Sequence, residues 1–416
     1  MSKSLAKKLA QIKPGTLFVG VDLALERNVA VVLDTGARQL DRFGFPNERD
    51  GYEYLQRRVQ DVCDRHQASG VLIGMEPTNY YWKLLSSYLE APGLEYRLVN
   101  PYTVKKRREG DRLDRSRDDP RDAFTIADLL RTGKFTETQR QHGLYAELRG
   151  LVAHYHRLQG DIGRQKTLLR VTVGQLFPEL SRVFQDLTGH TARAMLCQHA
   201  SAHQVATLSL ESFIAGVRAD FQGSRLHLAK LRHAHRLAAS SVGLKEEAHA
   251  LQLIARLHLE NLDVLQSQLK QVEQALVTTF MALPEAPYLL SVPGLGVITA
   301  ATILAEIGDP SRYRRGRQLI KLAGTQPVPN TSGRKTRSAT PMSGQGRPRL
   351  RTALYFACLR LVHRDEAFAR SYQQLQQREK NPLTGMQALG VLMNKLLRIL
   401  WALMRDQTYY DQARVT

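Results

Sequence analysis

Residues 16–23, TLFVGVDL, decide how the first third of the chain folds. The run is apolar and rich in β-branched and aromatic side chains as far as Val21, as expected of a buried strand. Asp22 then interrupts it, and because a charge inside a core is costly, this carboxylate has to emerge at a sheet edge. Working outward, NVAVVLD from Asn28 and the alternating RQLDRFGF from Arg38 read as two more strands. Tyr52, Leu55, Val59 and Val62 follow at three-and-four spacing, one apolar stripe along a helix. VLIGME from Val71 is another buried strand, and it too ends on an acid, Glu76. A helix through Tyr81 to Leu89, a strand from Glu95 to Val99 and a helix from about Asp119 to Leu130 complete the order βββαβαβα. That order predicts an α/β domain with a mixed sheet over residues 1–142.

Strand signals stop near Gly143, and from there to Phe280 the chain is rich in Leu, Gln, His and Arg with few breakers. An all-α middle region, residues 143–283, is expected. Within it Leu262, Leu265, Leu269, Val272 and Leu276 alternate three and four apart, a short heptad seam. Such a seam fits an antiparallel hairpin within one chain as well as a coiled coil between chains. Pro284 and Pro287 mark a boundary, and residues 284–416 are expected to form a small, basic, mostly α-helical domain. From Ala301 to Arg351 eleven Lys or Arg stand against two acids, Glu306 and Asp309.

Over 416 residues a hydrophobic content of 43% is enough for real cores, while the formal net charge is +20. Such an excess favours a polyanionic partner, because pairing Lys and Arg with phosphates releases counterions. Nucleic acid is the expected class. Cys63, Cys197 and Cys358 lie far apart without CxxC spacing, which argues against a disulfide framework or zinc ribbon and for a reducing cytoplasm. No uninterrupted apolar run reaches bilayer length, so a soluble protein with no membrane partner is expected.

Four acids gain meaning from their placement. Asp22 and Glu76 end apolar strands, and Asp119 and Asp122 are three apart, on one helix face. Each alone also fits a solvated strand end or a helix-start acid; Asp119 before Pro120 could be a simple N-cap. Gathered together, such carboxylates repel one another and call for hard divalent cations, Mg2+ or Mn2+. Two ions held about 3.5 to 4 Å apart can activate an attacking oxygen and stabilise a leaving one in phosphoryl displacement. Lys105, Lys106, Arg107, Arg108, Arg112, Arg115 and Arg117 precede the acid pair. They fit a solvated loop or, as we expect, a contact to a nucleic-acid backbone.

FVGVDLA, GMEPTNYYW, LVNPYTVKKRR and RDDPRDAFTIADLL resemble the successive motifs of the DEDD transposases of insertion-sequence family one-ten, recombinases guided by a bridge RNA. The resemblance implies an RNase H-like, RuvC-type N-terminal domain and places the family's four acids on Asp22, Glu76, Asp119 and Asp122. The family usually has Lys-Thr before its third acid, where this chain has Arg117 and Asp118. Asp118 therefore competes for that place, and the three-residue spacing to Asp122 favours Asp119.

SVPGLGVITAATILAEIGDPSRYRRGRQLIKLAGTQPVPNTSGRK resembles the second domain of the same family. Its turn Pro293-Gly294-Leu295-Gly296 is like a helix-hairpin-helix element that holds a phosphate, or else it only links two packed helices. In the run Asn330 to Lys335 the resemblance makes Ser332 the nucleophile; from the residues alone an ordinary turn serine is the favoured reading. A hydroxyl beside Gly in a basic loop is open to a phosphodiester, with Arg334 and Lys335 near the developing charge. Ser343 competes with it, in a stretch that with Arg347 reads as a nucleic-acid contact.

The resemblance thus implies a bacterial, cytoplasmic transposase, nucleoid-associated during transposition, that cleaves and exchanges strands of donor and target DNA through a Mg-dependent phosphoserine intermediate. It further implies a guide RNA and a homo-oligomer, dimer or tetramer, whose active sites combine parts of different subunits. A junction endonuclease that uses water, and a nucleic-acid-binding scaffold without catalysis, are the alternatives.

Overall fold

The computed structural model describes all residues other than 1–2, 78, 112–118, 137–139, 329–330, 333–334, 337–339 and 415–416, and only the backbone of 3, 4, 7, 108, 110, 111, 119, 331, 332, 335 and 336. The chain forms two compact units, Met1–Arg140 and Gln141–Thr416.

The first unit is built on five strands, β1 (Thr16–Asp22), β2 (Arg27–Leu33), β3 (Gln39–Pro46), β4 (Gly70–Met75) and β5 (Tyr96–Leu98), in the order β3-β2-β1-β4-β5. β1, β2 and β3 pair antiparallel, whereas β4 runs parallel to β1 and β5 parallel to β4. The mixed sheet read from the sequence is present, and its three parallel strands end at one common edge. Around it lie α1 (Lys3–Leu9), α2 (Arg49–Arg65), α3 (Tyr81–Glu90), α4 (Pro101–Asp111) and α5 (Asp119–Arg131).

Side chains alternate across the sheet. Phe18, Val31, Leu33 and Leu72 pack against Ala123, Ile126 and Leu130 of α5. Val19, Val21, Ile73 and Met75 face Leu55, Val59 and Val62 of α2 and Leu85 and Leu89 of α3. Both faces are covered, which is why β1 and β4 read as continuous apolar runs rather than as alternating ones. The basic run before the acid pair is not wholly a loop: α4 takes up its first part, anchored by Val104, which is 2% exposed.

In the second unit α6 (Gly143–Leu176) and α12 (Ala248–Met281), 34 residues each, form a long pair. Thr279 Oγ1 donates to Glu147 near one end, and His258 meets Gln165 at 2.8 Å toward the other, so the two helices are antiparallel. The seam resolves as a hairpin within the chain: Leu262 and Leu276 are fully buried at its two ends, in separate cores. The Leu262 core is closed by α7 (Leu180–Val183), α8 (His190–Gln198), α9 (Ala202–Ala206), α10 (Leu210–Ala219) and α11 (Leu228–Ala238).

The Leu276 core takes Leu148, Val152 and Phe280 from the long helices together with α13 (Ala286–Leu290), α14 (Val297–Ile307), α15 (Arg317–Ala323), α16 (Pro348–Arg364), α17 (Glu366–Gln377) and α18 (Gly385–Asp406). Residues on both sides of Pro284 share it. α18 is long and apolar enough to cross a membrane by length and composition. Leu392, Leu396, Leu397 and Leu400 are nevertheless buried in this core, and Lys395 and Arg398 interrupt the apolar run. A two-strand hairpin, β6 (Thr331–Ser332) with β7 (Lys335–Thr336), lies between α15 and α16.

Candidate active site

The alternation that sends Phe18 toward α5 sends Gly20 and Asp22 the same way. The parallel register sets Gly20 beside Gly74, so Glu76, one residue past the end of β4, continues the same row. Asp22 and Glu76 are both half-buried. Helix α5 sits down on this row because both glycines make room: a Cβ on Gly20 would come within 2.5 Å of the Ala127 amide nitrogen, and one on Gly74 within 2.5 Å of Leu130 Cδ1. Asp122, also half-buried, immediately precedes Ala123, whose carbonyl lies against Gly20. Three of the four expected acids are therefore carried by elements that meet at the carboxyl edge of β1 and β4.

Asp119 opens α5, one helical turn before Asp122, and only its backbone is described. Asp118, Arg112, Arg115 and Arg117 lie outside the described residues. Among the described residues no group of three His, Cys, Asp or Glu is assembled to hold a metal ion. The chemistry of the donors still suits a hard divalent cation, since Asp22, Glu76 and Asp122 offer carboxylate oxygens whose mutual repulsion such an ion relieves.

Asn28, which the sequence reading passed over, supports this edge. It is fully buried at the start of β2; its Oδ1 accepts from the Ala24 amide at 3.0 Å, fixing the turn that follows Asp22. Its Nδ2 donates to Asn47 Oδ1 at 3.4 Å, an oxygen that also accepts from the Tyr52 hydroxyl at 2.5 Å. The available signal was an amide opening the otherwise apolar run NVAVVLD.

The basic run divides by role. Arg107 Nη2 lies 3.1 Å from Oδ2 of Asp128, a residue only 5% exposed whose Oδ1 accepts from Arg131 Nη2 at 2.6 Å. Arg107 thus clamps α4 to α5, while its side chain remains 42% exposed. Lys105 is exposed, 3.8 Å from Glu109, and the Lys106 ammonium stands 4.9 Å from the centre of the Tyr102 ring. The side chain of Arg108 is outside the described residues.

In the second unit the chain between α15 and α16 forms an arm fixed at its base. Gly344 donates to the Gly324 carbonyl at 3.1 Å, Ser343 to Gln326 at 2.9 Å, Val328 to Pro341 at 2.9 Å and Arg347 to Leu322 at 2.8 Å, all through main-chain amides. Thr325, 1% exposed, donates through Oγ1 to Asn394 Oδ1 of α18 at 2.5 Å and accepts at its carbonyl from Asn394 Nδ2 at 3.2 Å. Gly324 has φ +69°, and a Cβ on Gly346 would meet the Leu322 carbonyl oxygen at 2.6 Å. Farther out, β6 and β7 set Ser332 opposite Lys335. Their side chains, and Arg334 entirely, are outside the described residues.

Ser343 spends its hydroxyl on the arm's base, donating to the Gly324 carbonyl at 3.1 Å. Arg347 also turns inward: its Nη1 donates to the Glu306 carbonyl oxygen and stands 3.6 Å from Glu306 Oε2, with Arg349 3.9 Å from Oε1. Burial, with the nearby Arg149, pulls the Arg347 guanidinium below its ordinary value, and Glu306 opposes the shift. Glu306 is only 5% exposed, and a carboxylate so buried needs this compensating charge. At the Pro293–Gly296 turn, Gly294 has φ +75°, and the start of α14 shares a groove with Arg360 and Arg364. Arg360 Nη1 donates to Thr299 Oγ1 there at 3.2 Å.

A family model of the IS110 DEDD type, described as Transposase, matches residues 19–178, and one described as Transposase IS116/IS110/IS902 family matches residues 286–373. The first range contains Asp22, Glu76, Asp119 and Asp122, the second Ser332. The chain is 28% identical over 333 residues to the candidate mini-circle transposase for IS117 of Streptomyces coelicolor, covering 77% of this chain and 78% of that protein. It is 28% identical over 334 residues to a 44.8 kDa protein of insertion element IS116 of Streptomyces clavuligerus, covering 79% and 81%. It is also 30% identical over 128 residues to the pilin gene-inverting protein of Moraxella bovis, covering 30% and 39%.

Proposed function

Because the chain belongs to the IS110 family of DEDD transposases and is accordingly a DNA transposase or recombinase, we propose that its reaction is divided between the acid edge of the first unit and Ser332 of the second. The observation that carries this reading is the meeting of β1, β4 and α5, which brings Asp22, Glu76 and Asp122 to one sheet edge. With Asp119, these carboxylates would hold a divalent cation, Mg2+ or Mn2+, which supplies Lewis-acid charge to a phosphodiester. Ser332 Oγ attacks the phosphorus and gives up its proton, and the bond to one ester oxygen breaks as the phosphoserine forms. The ester conserves the broken linkage for rejoining to a second DNA strand. Lys335, opposite Ser332 in the hairpin, and Arg334 beside it supply positive charge where negative charge develops.

The acids and the serine belong to different compact units, which agrees with a dimer or tetramer whose sites are completed between subunits. A guide RNA accounts for part of the +20 charge and would carry the sequence information by which DNA is selected. The Moraxella relative, by its name, inverts a pilin gene, an outcome that exchange of strands between two sites produces.

The test uses the protein with labelled donor DNA under denaturing conditions that preserve covalent adducts. A protein–DNA adduct is expected with the unaltered chain, none with Ser332→Ala, and both Ser332→Ala and Asp122→Asn should lower strand joining by about a thousandfold or more. Chelation of divalent cations should have the same effect. Strand cleavage that persists in Ser332→Ala would overturn the covalent step and favour hydrolysis by water.

A further inference from the structure

The edge that carries the acids is also where the first unit leaves large aromatic and apolar side chains in solvent. Leu25, three residues past the end of β1, is 63% exposed; Tyr80, five past the end of β4, is 53% exposed; Tyr102, four past the end of β5, is 59% exposed. β1, β4 and β5 are neighbours in the sheet, so all three connections leave the same edge, Tyr80 leading into α3 on the α2 face and Tyr102 into α4 on the α5 face. Nearby chain shows that burial was available: Trp82 and Tyr88 of α3 pack on the α2 core, and Val104 of α4 is 2% exposed.

Local structure holds the two tyrosines outward. Asn79, at φ +47°, turns the chain left-handed just before Tyr80, whose ring leans on that of Tyr81 with centroids 4.5 Å apart. Asn100 Oδ1 accepts from the Tyr102 amide at 2.9 Å and fixes Tyr102 in the first turn of α4. Cations are interleaved with the rings: Lys106 stands over Tyr102, and Lys83 and Lys105 are exposed. Rings for base faces and ammonium groups for phosphates are what an unpaired strand needs.

We propose that Tyr80 and Tyr102 form a stacking platform for unpaired bases of a single DNA strand arriving at the acid edge. A tyrosine ring accepts the face of any base, so the platform reads no sequence. Paired bases hide their faces within the duplex stack, so it separates open from closed DNA. The proposal rests on the acid edge being a phosphodiester site, but it concerns binding and is measured without catalysis.

The whole protein, free of divalent cations, is titrated with a single-stranded DNA oligonucleotide carrying the fluorescent base aminopurine, whose emission is quenched by stacking. Quenching is expected on binding. Tyr80→Ala and Tyr102→Ala should each lose part of it and bind about tenfold more weakly, while Tyr80→Phe and Tyr102→Phe keep both signals. Affinity for the same sequence as a duplex should not change, nor should thermal unfolding, because both side chains are exposed. Undiminished quenching in the alanine variants overturns the platform. So do equal losses on duplex, a phenylalanine variant as weak as the alanine one, or quenching confined to an RNA oligonucleotide. If Ser332→Ala keeps cleaving DNA, the covalent mechanism falls and the platform stands; if quenching is absent while cleavage proceeds, the platform alone falls.

Discussion

Gly20 has no room for a side chain, since a Cβ would run into the Ala123 carbonyl and the Ala127 amide, both backbone atoms of α5. Gly160, in the middle of α6, has nothing within 4 Å of where its Cβ would be. One substitution should therefore act with opposite signs at the two sites. Gly20→Ala pushes α5 off β1 and is expected to cost about 1–3 kcal/mol as overpacking, with loss of strand joining because Asp122 moves with the helix. Gly160→Ala should add about 0.5–1 kcal/mol, the helix-interior difference between the two residues. Denaturant unfolding of both variants checks the pair, and equal signs would refute the account. At this scale the sequence was legible where a residue contradicts its surroundings, as Asp22 does in an apolar strand. It was not legible for Arg107 and Arg347, whose carboxylate partners lie 21 and 41 residues away along the chain, because only tertiary packing decides whether a basic side chain meets a buried acid or solvent.

Strands β1 and β4 were readable because burial on both faces leaves a continuous apolar run, and α5 because its acids open a regular stripe. β5, three residues long, and α4, which buries little, leave weaker marks. The heptad from Leu262 gave the helix but not its partner, since Leu beside Leu has the same chemistry within a chain and between chains. The arm's base was invisible for another reason: its key bonds join Thr325 to Asn394, two polar residues 69 positions apart. Asn394→Leu would leave the buried Thr325 carbonyl without this donor and its hydroxyl with the longer contact to the Ile320 carbonyl at 3.4 Å, at a cost of about 1–3 kcal/mol. The expected outcome is a lower unfolding midpoint together with less phosphoserine adduct and no change in single-strand binding by the first unit. An unaltered adduct yield would mean that the arm does not depend on this anchor.

For the molecule as a whole, the burial of two histidines contributes to the response to acid. Neither ring nitrogen of His199 has a hydrogen-bond partner among the described residues, and burial holds its imidazole below the ordinary value. His156, packed 3.2 Å from Thr302 Oγ1, is lowered first by burial and then by Arg349. Both are neutral in folded and unfolded chain at high pH, so they contribute no slope there. Below about pH 6.5 the unfolded chain takes up protons that the folded one resists, and stability falls as pH falls, by up to about 1.4 kcal/mol per pH unit for each proton. Unfolding midpoints measured from pH 7.5 down to 5.5 should show this decline, and His199→Gln should flatten it. An equally steep decline in that variant would assign the effect elsewhere.

The pairing of β6 with β7 has a consequence for how such an arm can change in length. Side chains alternate every residue along a strand, so one residue added at the start of β6 and one at the end of β7 turn Ser332 to the side opposite the first pair. Adding two restores it and moves the hydroxyl about 7 Å along the ladder. In the proposed mechanism the reach of Ser332 is thus adjustable in strides rather than continuously, which leaves a discrete set of lengths.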